Sequence, residues 1–183
     1  MRPWMSSKRG RLNCGPHCQV RRGFNFNLMS SSQEFSVCLL TRDDVALMEA
    51  MLAMFGEVFD EVQTFSGNRP GPAYLERLLG SEYFIALAAL KSGEVVGGIA
   101  AYELRKFEQE RSEIYIYDLA VAAAHRRERI ATAMILELKR IAAARGAYVI
   151  FVQADLGDAP AITLYTKLGT REDVLHFDIA ITQ

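Results

Sequence analysis

The 183-residue sequence contains no long hydrophobic run and only 5 prolines and 3 cysteines. None of its apolar stretches approaches the ~18 residues that a membrane-spanning helix requires. The N-terminus also lacks the apolar segment of a secretory signal, so we expect a cytoplasmic protein. With 50% hydrophobic and 23% charged residues, the composition excludes fibrous and low-complexity chains and predicts a globular protein.

The three cysteines do not form a recognisable metal site. Cys14 and Cys18 flank His17, but no second pair of Cys or His residues completes the four ligands of a structural zinc site. We therefore predict free thiols and no bound metal. Cys38 lies in an apolar run, where a buried small hydrophobic residue is expected.

Acidic residues are absent from the first 33 positions. Six of the 21 Lys and Arg residues lie there, which gives this tail a charge of +6. The remaining fifteen, set against all 22 Asp and Glu residues, give the body a charge of −7. Such a body suits a cationic partner better than a nucleic-acid backbone. We predict a disordered basic tail over residues 1–33 and one domain over residues 34–183, with an internal start at Met29 as an equally plausible explanation of the tail.

The hydrophobic pattern predicts alternating strands and helices in a mixed α/β fold. A strand–helix–strand unit over residues 113–153 requires a parallel crossover, whereas a short hairpin at Lys91–Ser92–Gly93 requires antiparallel strands. Helices are predicted from Arg42, capped by Thr41, and over residues 74–79, 129–144 and 161–168. Strands are predicted over residues 35–40, 83–90, 94–104, 113–121, 148–153 (buried) and 174–181.

A basic turn between a predicted strand and a predicted helix lies within residues 117–132. Backbone N–H groups and the positive end of the helix dipole at such a turn suit a pyrophosphate. Arg126, Arg127 and Arg129 add positive charge where phosphate oxygens would arrive. Taken alone, this pattern is equally compatible with an ordinary helix start that carries solvated arginines.

A second informative segment, residues 158–169, places Tyr165 near the end of a short predicted helix. A phenol that titrates near ~10 stays protonated at neutral pH and can donate a proton to a departing thiolate. Without the first segment, a packing role for Tyr165 would be the better interpretation.

Together the two segments resemble signatures of the GNAT superfamily of acetyltransferases. Residues 126–131 resemble the acetyl-CoA motif Arg/Gln-x-x-Gly-x-Gly/Ala, and residues 164–169 resemble a helix end of the form Leu-Tyr-x-Lys-x-Gly. Arg126 and Ala131 match the first motif, but Arg129 stands where the family has glycine. In that family the glycine lets the backbone approach the phosphate. Arg129 therefore either crowds the cofactor or turns outward to meet another phosphate.

Longer stretches resemble the aminoglycoside 3-N-acetyltransferases of GNAT type, the gentamicin acetyltransferases. They are residues 54–56, 84–89, 106–109, 111–121, 146–150, 152–155 and 176–179. The resemblance implies a GNAT fold, with a mixed, mostly antiparallel sheet, flanking helices and a central parallel β-α-β crossover. It also implies acetyl-CoA as cofactor, a homodimer, and N-acetylation of an aminoglycoside at its 3-amino group, which confers resistance.

The resemblance also implies roles for individual residues. Asp118 is the leading candidate for the general base, with Glu113 and Asp155 as alternates, and Tyr165 is the candidate acid. Tyr117 and Asp118 point to opposite faces of a strand, so only one can face the substrate, and a kink or bulge could change which one does. The cofactor-binding candidates are Leu119, Ala120, Val121, Arg126, Arg127, Glu128, Arg129, Ile130, Ala131, Thr132 and Tyr165.

A polycationic acceptor requires an acidic cleft, and the charge of the body agrees with one. The substrate-binding candidates are Asp60, Glu61, Glu108, Tyr117, Asp118, Asp155, Asp158 and Asp178, with Asp60 and Glu61 on a flexible lid. Two other interpretations remain open on the sequence. One is an acetyltransferase for a polyamine or a protein amine, and the other is a non-catalytic CoA-binding domain, which Arg129 favours and Tyr165 disfavours.

Overall fold

The computed structural model describes residues 35–67 and 69–181. The predicted tail over residues 1–33, with Cys14, His17 and Cys18, lies outside this part of the chain. The chain forms two compact units, the first ending at Val152 and the second comprising residues 153–183. The described elements are β1 (Ser36–Leu39), α1 (Val45–Val58), α2 (Pro72–Leu79), β2 (Phe84–Lys91), β3 (Glu94–Arg105), β4 (Ser112–Val121), α3 (Ile130–Arg145), β5 (Ala147–Val152) and α4 (Ala159–Thr166).

The first unit contains a five-stranded sheet in the order β1-β2-β3-β4-β5. The first four strands pair antiparallel, and β4 pairs parallel with β5. Helix α3 makes the connection from β4 to β5, as a parallel pair requires. The predicted mixed, mostly antiparallel sheet with one β-α-β crossover is confirmed, and the parallel pair lies at one edge of the sheet.

Both faces of this sheet are covered by helices. Alternate residues of β2, from Phe84 to Leu90, belong to one core cluster with α1 and α2. The opposite face packs on α3, whose Ile130, Met134 and Leu138 are almost fully buried. At Gly98 of β3 an added Cβ would lie 2.5 Å from the Met51 sulfur. This glycine therefore lets α1 lie close against the sheet, beneath the end of β4.

The backbone geometry confirms the predicted hairpin turn after β2 and the predicted C-terminal end of α3. Ser92 and Gly93 both have positive φ, 53° and 85°, as the two-residue hairpin between β2 and β3 requires. Gly146 ends α3 with φ 78° and donates its N–H to the carbonyls of the last turn. The tight hairpin fixes the backbone of Lys91, the residue that precedes it.

Three details of the sequence prediction are wrong. Thr41 does not cap α1; the cap is Asp44, whose carboxylate accepts hydrogen bonds from the Thr41 N–H and hydroxyl at 2.9 and 2.8 Å. Strand β5 is not buried, because it is the edge strand, and its Tyr148 is 51% exposed. Cys38 is half-buried rather than buried.

The predicted strand over residues 174–181 is also wrong. Residues 170–181 have no regular secondary structure, and Phe177 and Ile179 are 76% and 91% exposed. An alternating apolar pattern forms a strand only where a neighbouring strand satisfies its backbone groups. The described part of the second unit contains α4 but no such strand.

Candidate functional site

A β-bulge in β4 changes which side chains share a face of the sheet. Ile116 pairs with Ala101 and Asp118 pairs with the preceding Ala100, so Tyr117 is the extra residue. Bulges redirect side chains and often lie beside active sites. The ring of Tyr117 contacts Tyr102, which lies on the same face as Asp118. The expectation that Tyr117 and Asp118 point to opposite faces is therefore wrong, and both face the α1 side.

Asp118 is a half-buried carboxyl group on this face. Burial raises its pKa above the ordinary aspartate value, and repulsion from the Glu61 carboxylate raises it further. Glu61 follows α1, and its backbone N–H bonds the carbonyl of Gly56 at 2.9 Å. A carboxyl group with a raised pKa is suited to exchange a proton with an amine, and the two neighbouring carboxylates suit a cationic ligand.

Aromatic rings lie on the same face of the sheet as Asp118. Tyr117 packs edge-on against Tyr102 and Tyr115 at centroid distances of 5.9 and 5.8 Å. Tyr115 stacks on Phe151 of β5 at 4.9 Å, and Tyr102 lies 5.2 Å from Phe84. Tyr102, Tyr115 and Phe151 were missed in the sequence, although the spacing of Tyr115 and Tyr117 indicates neighbouring side chains on a strand. We call Tyr102, Tyr115, Tyr117 and Phe151 the aromatic wall.

The predicted lid residues Asp60 and Glu61 are exposed, and the segment after the lid packs against α1. A short π-helical turn, Gln63–Gly67, follows the lid, and the ring of Phe65 contacts Phe55 at 5.9 Å and Phe59 at 5.6 Å. Asp60 has φ 57° and is exposed. Of the two predicted acidic residues here, Glu61 is the one whose charge acts on Asp118.

The last part of β4 offers backbone groups at an open edge. Its pairing with β5 ends at Ile116–Val152, whereas its pairing with β3 continues to Val121. The N–H of Ala122 bonds the carbonyl of Val96 on the β3 side at 2.9 Å. Because N–H and C=O groups alternate in direction along a strand, those of Leu119 and Val121 point to the opposite, unpaired edge. They are available to an extended ligand such as a pantetheine arm, and Ala120 between them is buried in the core.

The turn between β4 and α3 fits a diphosphate group. A 3₁₀ turn, Ala123–His125, is followed by Arg127 and Arg129, both in the left-handed conformation with φ 64°. The first N–H groups of α3, from Ile130, Ala131 and Thr132, receive no side-chain cap. Arg126, Arg127 and Arg129 are exposed, and their side chains make no ion pair within residues 35–67 and 69–181. Free N–H groups, the dipole and three guanidinium groups together suit the diphosphate of CoA.

Arg129→Gly is expected to raise the free energy of unfolding by about 1 kcal/mol. A left-handed residue with a side chain costs about 1–2 kcal/mol relative to glycine, and the more flexible unfolded chain of the glycine variant offsets part of the gain. Urea unfolding without ligand measures the change. Lys139→Gly, at an exposed position in the right-handed body of α3, is the control and should destabilise the protein. No gain for Arg129→Gly would show that its side chain stabilises the turn in another way.

Glu128 has a different role from its arginine neighbours. Its carboxylate accepts a hydrogen bond from the Lys91 ammonium group at 2.7 Å and lies 3.3 Å from Nδ1 of His125. The Lys91 hydrogen bond lowers the pKa of Glu128 and keeps it ionised. As an anion, Glu128 would repel a phosphate, so any contribution of its side chain to cofactor binding is indirect.

Two other predicted site residues, Glu113 and Glu108, are paired near the opposite end of β4. Glu113 accepts a hydrogen bond from the Tyr148 hydroxyl at 2.8 Å and lies 3.5 Å from the Lys106 ammonium group. Glu108 forms an ion pair with Arg111 at 3.3 Å. Neither carboxylate contributes to the raised pKa of Asp118.

The remaining candidates lie in the second unit. Asp158 caps α4 by accepting the Ala161 N–H at 3.0 Å. Burial, and then the charge of Asp158, raise the pKa of Tyr165 to about 12. Asp155 is exposed, and Asp178 lies 3.1 Å from Nε2 of His176. Tyr165 is therefore a protonated donor throughout the neutral range.

The described residues contain neither a metal cluster nor a membrane-spanning helix. Between 35 and 181, apart from Asn68, no group of three His, Cys, Asp or Glu side chains is arranged to hold a metal ion. Over the same residues, no helix has both the length and the apolar character needed to cross a membrane.

Comparison with known proteins identifies relatives of this fold. The sequence profile of the acetyltransferase (GNAT) family matches residues 48–170. An aminoglycoside acetyltransferase from an uncultured soil metagenomic sample is 66% identical, with a TM-score of 0.80 over 81% of this chain and 99% of that one.

A second aminoglycoside acetyltransferase from an uncultured soil metagenomic sample, solved in complex with sisomicin, is 27% identical. Its TM-score is 0.74 over 81% of this chain and 97% of that one. A ribosomal-protein-alanine N-acetyltransferase from Brucella melitensis biovar Abortus 2308, 23% identical, shares the fold with a TM-score of 0.64 over 81% of this chain and 100% of that one. No curated protein sequence matches the chain significantly.

Proposed function

Because the chain belongs to the acetyltransferase (GNAT) family, whose members use acetyl-CoA, we propose that it N-acetylates an aminoglycoside antibiotic. We propose the 3-amino group as the site of acetylation and resistance as the consequence. Residues 34–183 would form the acetyltransferase domain, which acts as a cytoplasmic homodimer. Both soil-derived relatives are aminoglycoside acetyltransferases, and one was solved with sisomicin, which supports this acceptor class.

The observation that carries the proposal is the position of Asp118 beside the aromatic wall. A half-buried carboxyl group with a raised pKa lies on the same face as the tyrosine rings, and the charge of a second carboxylate, Glu61, acts on it. Carboxylates attract ammonium groups, and aromatic faces suit sugar rings and cations. An aminoglycoside presents ammonium groups on rings, whereas a linear polyamine has no ring to pack on the aromatic wall.

Each residue has a defined part in the proposed reaction. Acetyl-CoA, when bound, supplies the acetyl group as a thioester. Asp118 takes a proton from the acceptor ammonium group, directly or through water, and so frees the nitrogen lone pair. The unpaired backbone groups of Leu119 and Val121 hold the pantetheine arm, and a backbone N–H there stabilises charge on the carbonyl oxygen.

The remaining roles concern the leaving group and the diphosphate. The Tyr165 phenol donates a hydrogen bond to the departing sulfur. Arg126, Arg127, Arg129 and the N–H groups of Ile130, Ala131 and Thr132 hold the diphosphate. Glu113 and Asp155 remain alternates to Asp118, and Asp60, Glu108, Asp158 and Asp178 remain candidates for outer contacts with the polycation.

Steady-state thiol release from acetyl-CoA tests the acceptor class. Gentamicin, spermidine and a lysine-containing peptide are compared at equal concentrations. We expect kcat/KM for gentamicin to exceed that for either other amine by at least about 100-fold. Comparable rates with spermidine would retain the acetyl transfer and reject the aminoglycoside assignment.

Glu61→Gln is expected to move the acidic limb of the kcat/KM profile for gentamicin to lower pH. Glu61 raises the pKa of Asp118, so its neutralisation lowers the pH at which the base becomes ionised. The KM for gentamicin should rise by about threefold, since an exposed charge contributes little. Asp60→Asn is the matched control, because it removes the adjacent charge and should leave the limb unchanged. An unshifted limb for Glu61→Gln would show that Asp118 is not the titrating base.

A further inference from the structure

The turn between β4 and α3, residues 122–129, is called the cofactor turn below. It contains a backbone conformation that its sequence does not favour. Arg127 and Arg129 both have positive φ, although neither is glycine. A residue with a side chain is disfavoured in this conformation, so the surrounding structure must hold the backbone in place. The residue between them, Glu128, is the one whose side chain bonds elsewhere in the protein.

Glu128 is held by a basic residue from another part of the sheet. The Lys91 ammonium group donates to Glu128 Oε2 at 2.7 Å, and Nδ1 of His125 lies 3.3 Å from Oε1. Lys91 Nζ also lies 3.5 Å from Nδ1 of His125. The Lys91 side chain is only 13% exposed, so water screens this ion pair less than those on the surface.

The position of Lys91 suits a fixed anchor. It is the last residue of β2, pairs with Glu94 of β3, and directly precedes the tight Ser92–Gly93 turn. The nearby backbone bond from Ala122 to Val96 joins the start of the cofactor turn to the same hairpin. The turn is therefore attached to the β2–β3 hairpin at both Ala122 and Glu128.

We propose that Lys91 is a positioning residue for the binding of acetyl-CoA. Its side chain holds Glu128 and His125, so that residues 126–129 keep the conformation that receives the diphosphate. Lys91 lies well before Arg126 in the sequence and outside the acetyl-CoA motif. Its ammonium group serves the protein rather than the ligand, because its charge is already paired with Glu128. The proposal rests on the family's use of acetyl-CoA and not on the identity of the acceptor.

Lys91→Met in the full chain tests this role by isothermal titration with CoA. The expected result is about tenfold weaker binding of CoA, an equal rise in the KM for acetyl-CoA, and a kcat at saturation within about twofold of the wild-type value. Lys91→Arg should restore binding to within about threefold. Arg140→Met is the control: it breaks the exposed Arg140–Glu137 pair on α3 and should leave CoA affinity unchanged.

Two further comparisons distinguish a positioning role from direct contact between Lys91 and the ligand. Glu128→Gln should also weaken CoA binding, although it removes an anion that repels phosphate, and the double variant should be no worse than Lys91→Met, because both substitutions remove one interaction. Dephospho-CoA should show the same loss, since the turn receives the diphosphate. Additive losses of CoA affinity would overturn the proposal. A loss of affinity for CoA but not for dephospho-CoA would also overturn it, because it would show that Lys91 binds the terminal phosphate.

Thermal unfolding distinguishes a purely structural role of Lys91 from the proposed positioning role. If Lys91→Met lowers the midpoint of thermal unfolding while CoA affinity stays at the wild-type value, the proposal is wrong. If that variant does not fold, Glu128→Gln decides alone: unchanged CoA affinity rejects the positioning role. Failure of gentamicin as an acceptor would not affect either result, because CoA binding is measured without acceptor.

Discussion

Asp118→Asn is expected to lower kcat with gentamicin by about 100-fold while CoA binds with unchanged affinity. General-base catalysis contributes on the order of 10²–10⁴-fold, and the amide of asparagine cannot accept the proton. Asp118 lies on the α1 side of β4, and the pantetheine arm is assigned to the backbone of Leu119 and Val121. Stopped assays at saturating acetyl-CoA and a titration with CoA measure the two effects.

The pH profile of the wild-type protein provides a second test of the same residue. Because burial and Glu61 raise the pKa of Asp118, activity should fall as the pH is lowered, at a pH above the ordinary aspartate range. The acidic limb should disappear in Asp118→Asn, whose residual rate reflects deprotonation by solvent. Glu113→Gln is the matched control, since Glu113 is paired with Lys106 and Tyr148. A loss of about 100-fold in Glu113→Gln with normal activity in Asp118→Asn would assign the base to Glu113.

Asp118→Asn should also stabilise the fold at neutral pH. A carboxyl group whose pKa is raised in the folded state binds its proton more tightly there than in the unfolded chain. Above the folded pKa the ionised group therefore reduces stability, and the reduction disappears as the pH falls below the unfolded pKa. The gain in Asp118→Asn should accordingly be largest at neutral pH and vanish in acid. Loss of activity with a gain in stability would separate a catalytic role from a structural one.

Tyr165→Phe is expected to lower kcat by about 30-fold and to leave CoA affinity within about twofold. With a pKa of about 12, the Tyr165 phenol stays protonated, whereas a thiol titrates near ~8.5. Complete proton transfer to a free thiolate would be uphill, so hydrogen-bond donation to the developing charge is the expected role. A hydrogen bond to a charged group contributes about 1.5–3 kcal/mol, in line with this change in rate.

The controls for Tyr165 concern its own helix. Thr166→Val removes the neighbouring hydroxyl, which donates to the Ile162 carbonyl at 2.7 Å, and should leave kcat nearly unchanged. An equal kcat for Tyr165→Phe and the wild-type protein would remove the phenol from the reaction. A large loss of CoA affinity in that variant would instead assign Tyr165 to binding.

The hairpin between β2 and β3 and the helix α3 could be predicted because their signals are local. The Ser92–Gly93 turn, the stop at Gly146 and the stripe of Ile130, Met134 and Leu138 each depend on residues close in sequence. The basic turn before α3 could be placed for the same reason. Its glycine position is filled by Arg129, and the backbone adopts a left-handed conformation there despite the side chain.

The features that could not be predicted depend on residues far apart in sequence. The bulge at Tyr117 appears only when β3 and β4 are paired, and it places Tyr117 and Asp118 on one face. Likewise, Lys91 and Glu128 meet only through the sheet. The pattern over residues 174–181 predicts a strand, but a strand also needs a partner, which a local pattern does not reveal.

Mass analysis of the product shows directly whether the protein acetylates gentamicin, and on which nitrogen. The 183-residue chain is incubated with acetyl-CoA and gentamicin, and fragmentation locates the added acetyl group. We predict one acetyl group, on the nitrogen at position 3, which forms about 100-fold more slowly when Asp118→Asn replaces the wild-type protein. Unmodified gentamicin, with protein that acetylates another amine, would contradict the proposed acceptor. An acetyl group on another nitrogen would contradict the proposed site of acetylation.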